Sequence, residues 1–185
     1  MNTSARARFG GFGDLGLARP MAIGAVLVVA VALQSTLLTK VTLLGVVPQM
    51  LFVVVVSIAF LEGESVGVVV GFFGGAVLDF LIPESITGLT ALVYTFIGYA
   101  IGSIRYYLPA ASVWTPVFVV AAASTLAEFG YALLSILLGQ NWVSLGYTAK
   151  IAGLVVLYNT LLTPFVFPVV KNIADRVRPE RVVRI

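Results

Sequence analysis

The sequence predicts an all-α integral membrane protein built as a bundle of six transmembrane helices. Three observations carry that prediction. The 185 residues are 60% hydrophobic and 10% charged, whereas soluble domains average about 25% charged residues. The mean hydropathy is +1.08, so a soluble fold of this chain would lack a polar coat. The polar residues also fall in short breaks between apolar runs, and no hydrophilic stretch is long enough to fold separately. One domain over residues 20–170 is therefore expected, between an N-terminal tail (1–19) and a basic C-terminal tail (171–185).

Each element has its own justification. Residues 1–19 are polar and glycine-rich, with Arg6, Arg8 and Arg19 against Asp14, a composition that favours disorder. Pro20 to Leu38 is uncharged, long enough to span, and too long for a signal-peptide core. Lys40 and Gly45 fall in a loop, and Pro48 suits the first turn of a second helix running to Leu61. That helix has roughly 14 residues, about 21 Å, which is short of a ~30 Å hydrocarbon core. Glu62, Gly63, Glu64 and Ser65 make a polar turn into a third helix, Val66 to Ile82, ended by Pro83. Glu84, Ser85 and Thr87 make the next loop. A fourth helix runs from Ile86 to Ile104 and is closed by Arg105, with Tyr106 and Tyr107 as interfacial anchors. Pro109 to Val113 turns the chain. Trp114 opens a fifth helix to Leu138, with Glu128 near its middle and Gly139, Gln140, Asn141 and Trp142 after it. Tyr147 to Val170 is the sixth, with Pro164 and Pro168 expected to kink it.

Basic residues orient the bundle. Arg6, Arg8, Arg19, Arg105, Lys171, Arg176, Arg178, Arg181 and Arg184 fall on one side of a six-span topology, and Lys40 and Lys150 on the other. Both termini are expected to be cytoplasmic.

The most patterned stretch is Gly63, Gly67, Gly71, Gly75 and Asp79, spaced four apart in an apolar run. Residues at that spacing stack on one helix face, and small ones make a groove for another backbone. Gly67, Gly71, Gly75 and Asp79 are thus candidates for a helix-packing or partner-binding groove. A carboxylate in a span needs a partner. Lys150 lies at similar depth on the expected topology and is the candidate for Asp79. Glu128 is the other intramembrane carboxyl, readable as a carboxyl held neutral by burial, as one hydrogen-bonded to a neighbouring helix or, with Asp79, as a proton relay. Gly98 and Gly102, and Ala121 to Ser124, are further small-residue faces.

Reactive chemistry is scarce. The chain has no Cys and no His, which excludes thiol nucleophiles, disulfides and the usual metal and triad ligands. No catalytic residues, cofactor or metal site are expected. The basic tail can meet anionic lipid but has no folded domain with which to read nucleic acid.

Several segments together resemble the rod shape-determining MreD family. They are Leu44-Gly45-Val46-Val47-Pro48, the run closed by Glu62-Gly63, the row Gly67, Gly71, Gly75 with Leu78-Asp79, Pro83 and Gly88, then Gly98-Tyr99, Gly102 and Arg105, and Leu157-Tyr158-Asn159-Thr160 with Pro164 and Pro168. The likeness covers Gln34 to Lys171. Gln49 departs from it, since the family usually has Asp after that proline. The resemblance implies a non-enzymatic scaffold in the inner membrane of rod-shaped bacteria. Such a scaffold binds bitopic MreC and, through it, MreB filaments, a RodA-type glycosyltransferase and a class B penicillin-binding protein. It implies a fold similar to the S components of energy-coupling-factor vitamin transporters. The alternative function is therefore a vitamin-binding S component. Its usual docking pattern of alanines four apart has a poorly placed match, Ala18 and Ala22, at the start of the first helix. A ligand pocket would need polar groups near the outer face, which Asp79, Lys150, Gln140, Asn141 and Gln34 can supply. A membrane-embedded enzyme lacks any supporting motif.

Overall fold

A computed structural model describes residues 18–40, 46–82, 86–108, 112, 114–140 and 145–177. Among them lie six α-helices: α1 (Ala18–Thr36), α2 (Met50–Glu62), α3 (Glu64–Leu81), α4 (Leu89–Ile104), α5 (Thr115–Leu137) and α6 (Leu145–Val177). No strand occurs among the described residues. Four helical segments are long and apolar enough to cross a membrane: Ala18–Lys40, Glu64–Leu81, Thr115–Leu137 and Ala149–Val177. The expectations for Arg6, Arg8, Pro83, Glu84, Asn141, Trp142 and the last residues of the basic tail lie outside the described residues.

The short helix is the centre of the fold. α2 packs against each of the other five helices, and every residue from Leu51 to Ala59 is buried. Its sequence explains this place. It is apolar on all sides, so no face prefers an exterior. Its unbroken β-branched run is stiff at χ1, which costs little conformational entropy to pack. Lipid tails are as apolar as valine, so close van der Waals packing has to hold it there. Phe52 meets Tyr94 of α4 edge-on, with ring centroids 5.0 Å apart.

The remaining helices surround it. α3 pairs with α4 and α5 with α6, while α1 lies against α2 and α6. α1 is the least enclosed, with Ala30 its buried residue. α6 stays helical through Pro164 and Pro168 and continues past the expected end at Val170 to Val177. Thr163 Oγ1, hydrogen-bonded to the Asn159 carbonyl at 2.6 Å, takes up one acceptor in the turn that Pro164 interrupts.

A single residue, Gly63, joins α2 to α3, so the expected four-residue polar turn is tighter than read. Its φ of 99° with ψ of −176° is open essentially to glycine alone. Gly63 is therefore a hinge between helices, not the first member of the glycine row.

Candidate functional site

The glycine row meets α4 of its own chain. A Cβ on Gly71 would stand 2.7 Å from the Tyr94 carbonyl carbon and 2.9 Å from the Thr95 nitrogen. One on Gly75 would stand 2.5 Å from Ala91 Cα. Gly98 faces Gly67, and Gly102 faces Gly63 and Glu64. The two backbones touch along the whole seam, so the groove left open by the sequence is filled by α4.

Asp79 closes the same seam. It is 4% exposed. Its Oδ2 accepts the N–H groups of Gly88 and Ala91, each at 3.0 Å, and its Oδ1 accepts that of Thr90 at 3.2 Å. These are orphan donors at the start of α4, so Asp79 caps a neighbouring helix from α3. The α4 dipole favours its negative charge. Lys150, the partner expected from the sequence, is exposed on α6.

The ends of α2 are served in the same way. A helix of 13 residues is about 20 Å long, and its end groups are met by side chains of other helices, as buried backbone groups require. At its start, Gln34 Oε1 of α1 accepts the Leu51 N–H at 2.9 Å. Asn159 Oδ1 of α6 accepts the Gln49 N–H at 3.1 Å. Asn159 is fully buried and donates in turn to Ser124 Oγ of α5 at 3.0 Å. At its end, Arg105 Nη1 donates to the Leu61 carbonyl at 2.7 Å, and the guanidinium lies over the Tyr106 ring at 4.7 Å. A cation suits the negative end of a helix dipole. Arg19 of α1 pairs with Glu62 beside it.

Glu128 takes part at the start of α2. Its Oε1 accepts from Gln49 Nε2 at 2.8 Å. The Gln49 side chain thus reaches a neighbouring helix, while its own N–H is capped by Asn159. Asp79 and Glu128 have separate duties: one caps α4, and the other lines a cavity of about 430 Å³ bounded by α1, α3, α4, α5 and the approach to α2. Gln34 and Gln140, both expected at a pocket, line it too. Asp79 and Lys150 do not, and Asn141 lies outside the described residues. The sequence reading missed Asn159 and Ser135 as buried polar groups. Their signal was present, since an Asn or Ser amid an apolar span is costly unless it has a task.

Residues 18–174 match the family described as rod shape-determining protein MreD. The chain belongs to the MreD family. It is accordingly a membrane protein of the rod-shape machinery. No curated protein and no solved structure matches it. Within this MreD-family chain, the matched span contains the α3–α4 seam, the caps of α2 and the polar cavity.

Proposed function

We propose that this protein is a non-catalytic scaffold of the Rod complex, which seats the single membrane helix of MreC and so supports side-wall peptidoglycan synthesis. In this reading all six helices sit within the bilayer, with α2 as a short internal member. The fold is that of an energy-coupling-factor S component, and both termini are cytoplasmic. MreB filaments, a RodA-type glycosyltransferase and a class B penicillin-binding protein are then reached through MreC. The basic residues at the end of α6, Lys171 and Arg176, lie at the anionic lipid surface.

The supporting observation is the groove between α1 and α6. With the glycine row occupied by α4, it is a large unfilled apolar concavity among the described residues, about 620 Å³, lined by Ala22, Ala25, Val29, Leu162, Phe165 and Val169 among others. Small residues on a lightly packed helix allow a partner backbone to approach closely. No charged residue lines the groove, as expected for a seat between apolar helices.

Affinity purification of the tagged protein from its host in mild detergent tests this. MreC is expected to co-purify. Filling the groove by Ala22→Leu with Ala25→Leu is expected to remove it, while Leu92→Ala with Phe96→Ala on the exposed face of α4 leaves it bound. Recovery of MreC unaffected by groove filling would refute the seat. Recovery of an ABC ATPase pair with a coupling membrane protein instead would identify a vitamin-transporter S component.

A further inference from the structure

We infer that the polar cavity beside the start of α2 is a binding site for a small, amphipathic ammonium compound, recognised by Glu128. The inference stands apart from the scaffold reading and does not need MreC.

Its size comes first. About 430 Å³ is within the ~300–1,000 Å³ range of small-molecule sites. A filling of water alone would number about a dozen molecules at ~30 Å³ each.

The chemistry of the walls selects the ligand. Among the described residues that line the cavity, Glu128 is the charged one and none is Lys or Arg. The chain segments 41–45, 83–85 and 141–144, which adjoin lining residues in sequence, also contain no Lys or Arg. Lys40 and Lys150 are exposed and outside the lining. The hydrogen bond from Gln49 fixes the Glu128 carboxyl at the wall. A carboxylate in a low-dielectric recess attracts a cation far more strongly than one in water. The tyrosines Tyr94 and Tyr131 stand in the same wall with Leu78 and Val93, so an apolar body behind the ammonium group is accommodated.

Ser135 adds an unpaired polar group to the same wall. Ser135 is 1% exposed, lines the cavity, and its Oγ has no hydrogen-bond partner among the described residues. Buried hydroxyls are nearly always paired. On the orientation proposed above, this end of the bundle faces outward, so the ligand would arrive from outside the cell.

The natural absence of cysteine makes the test direct. Thr90→Cys puts a unique thiol on the cavity wall, and Thr39→Cys puts one on an exposed reference position. Purified full-length protein in detergent is treated with cationic 2-aminoethyl methanethiosulfonate and with its anionic 2-sulfonatoethyl analogue. Relative to the Thr39→Cys reference, the Thr90→Cys protein is expected to favour the cationic reagent by about tenfold or more, as a focused negative field does. Adding Glu128→Gln should return the ratio to that of the reference protein. Tyramine at millimolar concentration should slow labelling several-fold, and its uncharged counterpart tyrosol should not. Ile86→Cys replaces Thr90→Cys if the latter loses its monodisperse elution. No excess preference for the cation, a preference that survives Glu128→Gln, or labelling that tyramine fails to slow would each overturn the assignment.

Discussion

The α3–α4 seam makes a sharp prediction at Gly71. A methyl group there would lie 2.7 Å from the Tyr94 carbonyl carbon and 2.9 Å from the Thr95 nitrogen. Carbon contacts are comfortable near 3.5–4.0 Å, so the helices would have to part by ~1 Å. Both obstacles are backbone, so no side chain can rotate away. The displacement would also be felt at Gly67 and Gly75, whose Cβ positions meet Gly98 and Ala91 backbone at under 3.0 Å. It would draw Gly88, Thr90 and Ala91 away from Asp79. Overpacking of this kind costs about 1–3 kcal/mol, and Gly71→Leu should cost more than Gly71→Ala. Alanine is otherwise the better helix former by ~1 kcal/mol. Gly130 in α5 and Gly153 in α6, where a Cβ meets nothing within 4 Å, are therefore the controls. Heating a fluorescent fusion and reading the folded fraction by size-exclusion chromatography gives the comparison. At roughly 2–4 °C per kcal/mol for a chain of this size, Gly71→Ala should melt several degrees below the parent. Gly130→Ala and Gly153→Ala should melt at or slightly above it. Equal melting of Gly71→Ala and the controls would refute backbone contact at this seam.

The other predictions concern polar groups. Asp79→Ala leaves three donors at the start of α4 without their acceptor, that of Ala91 buried, and should cost about 1–3 kcal/mol. Lys150→Ala should fall within ~0.5 kcal/mol of the parent, as exposed positions do, and the two changes should add in the same melting assay. Gln49→Asp would set a second carboxylate against Glu128, where Gln49 now donates at 2.8 Å. Its melting temperature should drop, and adding Glu128→Gln should recover most of the loss by supplying an amide donor. An unchanged melting temperature for Gln49→Asp alone would show that Gln49 and Glu128 are not coupled.

Much of this protein was readable without coordinates. Composition alone makes it a membrane protein, because a chain with so few charges cannot coat a soluble core. Element existence follows from the apolar runs and their breaks, so six helices appear, five close to the expected spans and α6 running on from Val170 to Val177. The four-residue period of Gly67, Gly71 and Gly75 marks a close-packing face because helix geometry is local. Order and spacing of short segments along Gln34 to Lys171 were enough to suggest the MreD family, to which residues 18–174 belong. Partner choice is different, because it depends on which helices become neighbours. Only the tertiary structure shows that α4 fills the glycine row, that Asp79 caps α4 while Lys150 stands exposed, and that α2 is central. Gln34, Asn159 and Arg105 are distant from α2 in sequence and close to its ends in space. A residue pattern can say that a buried polar group must have a partner, since the cost of leaving it unmet is local. It cannot say which partner, since that is set by the packing of the whole bundle.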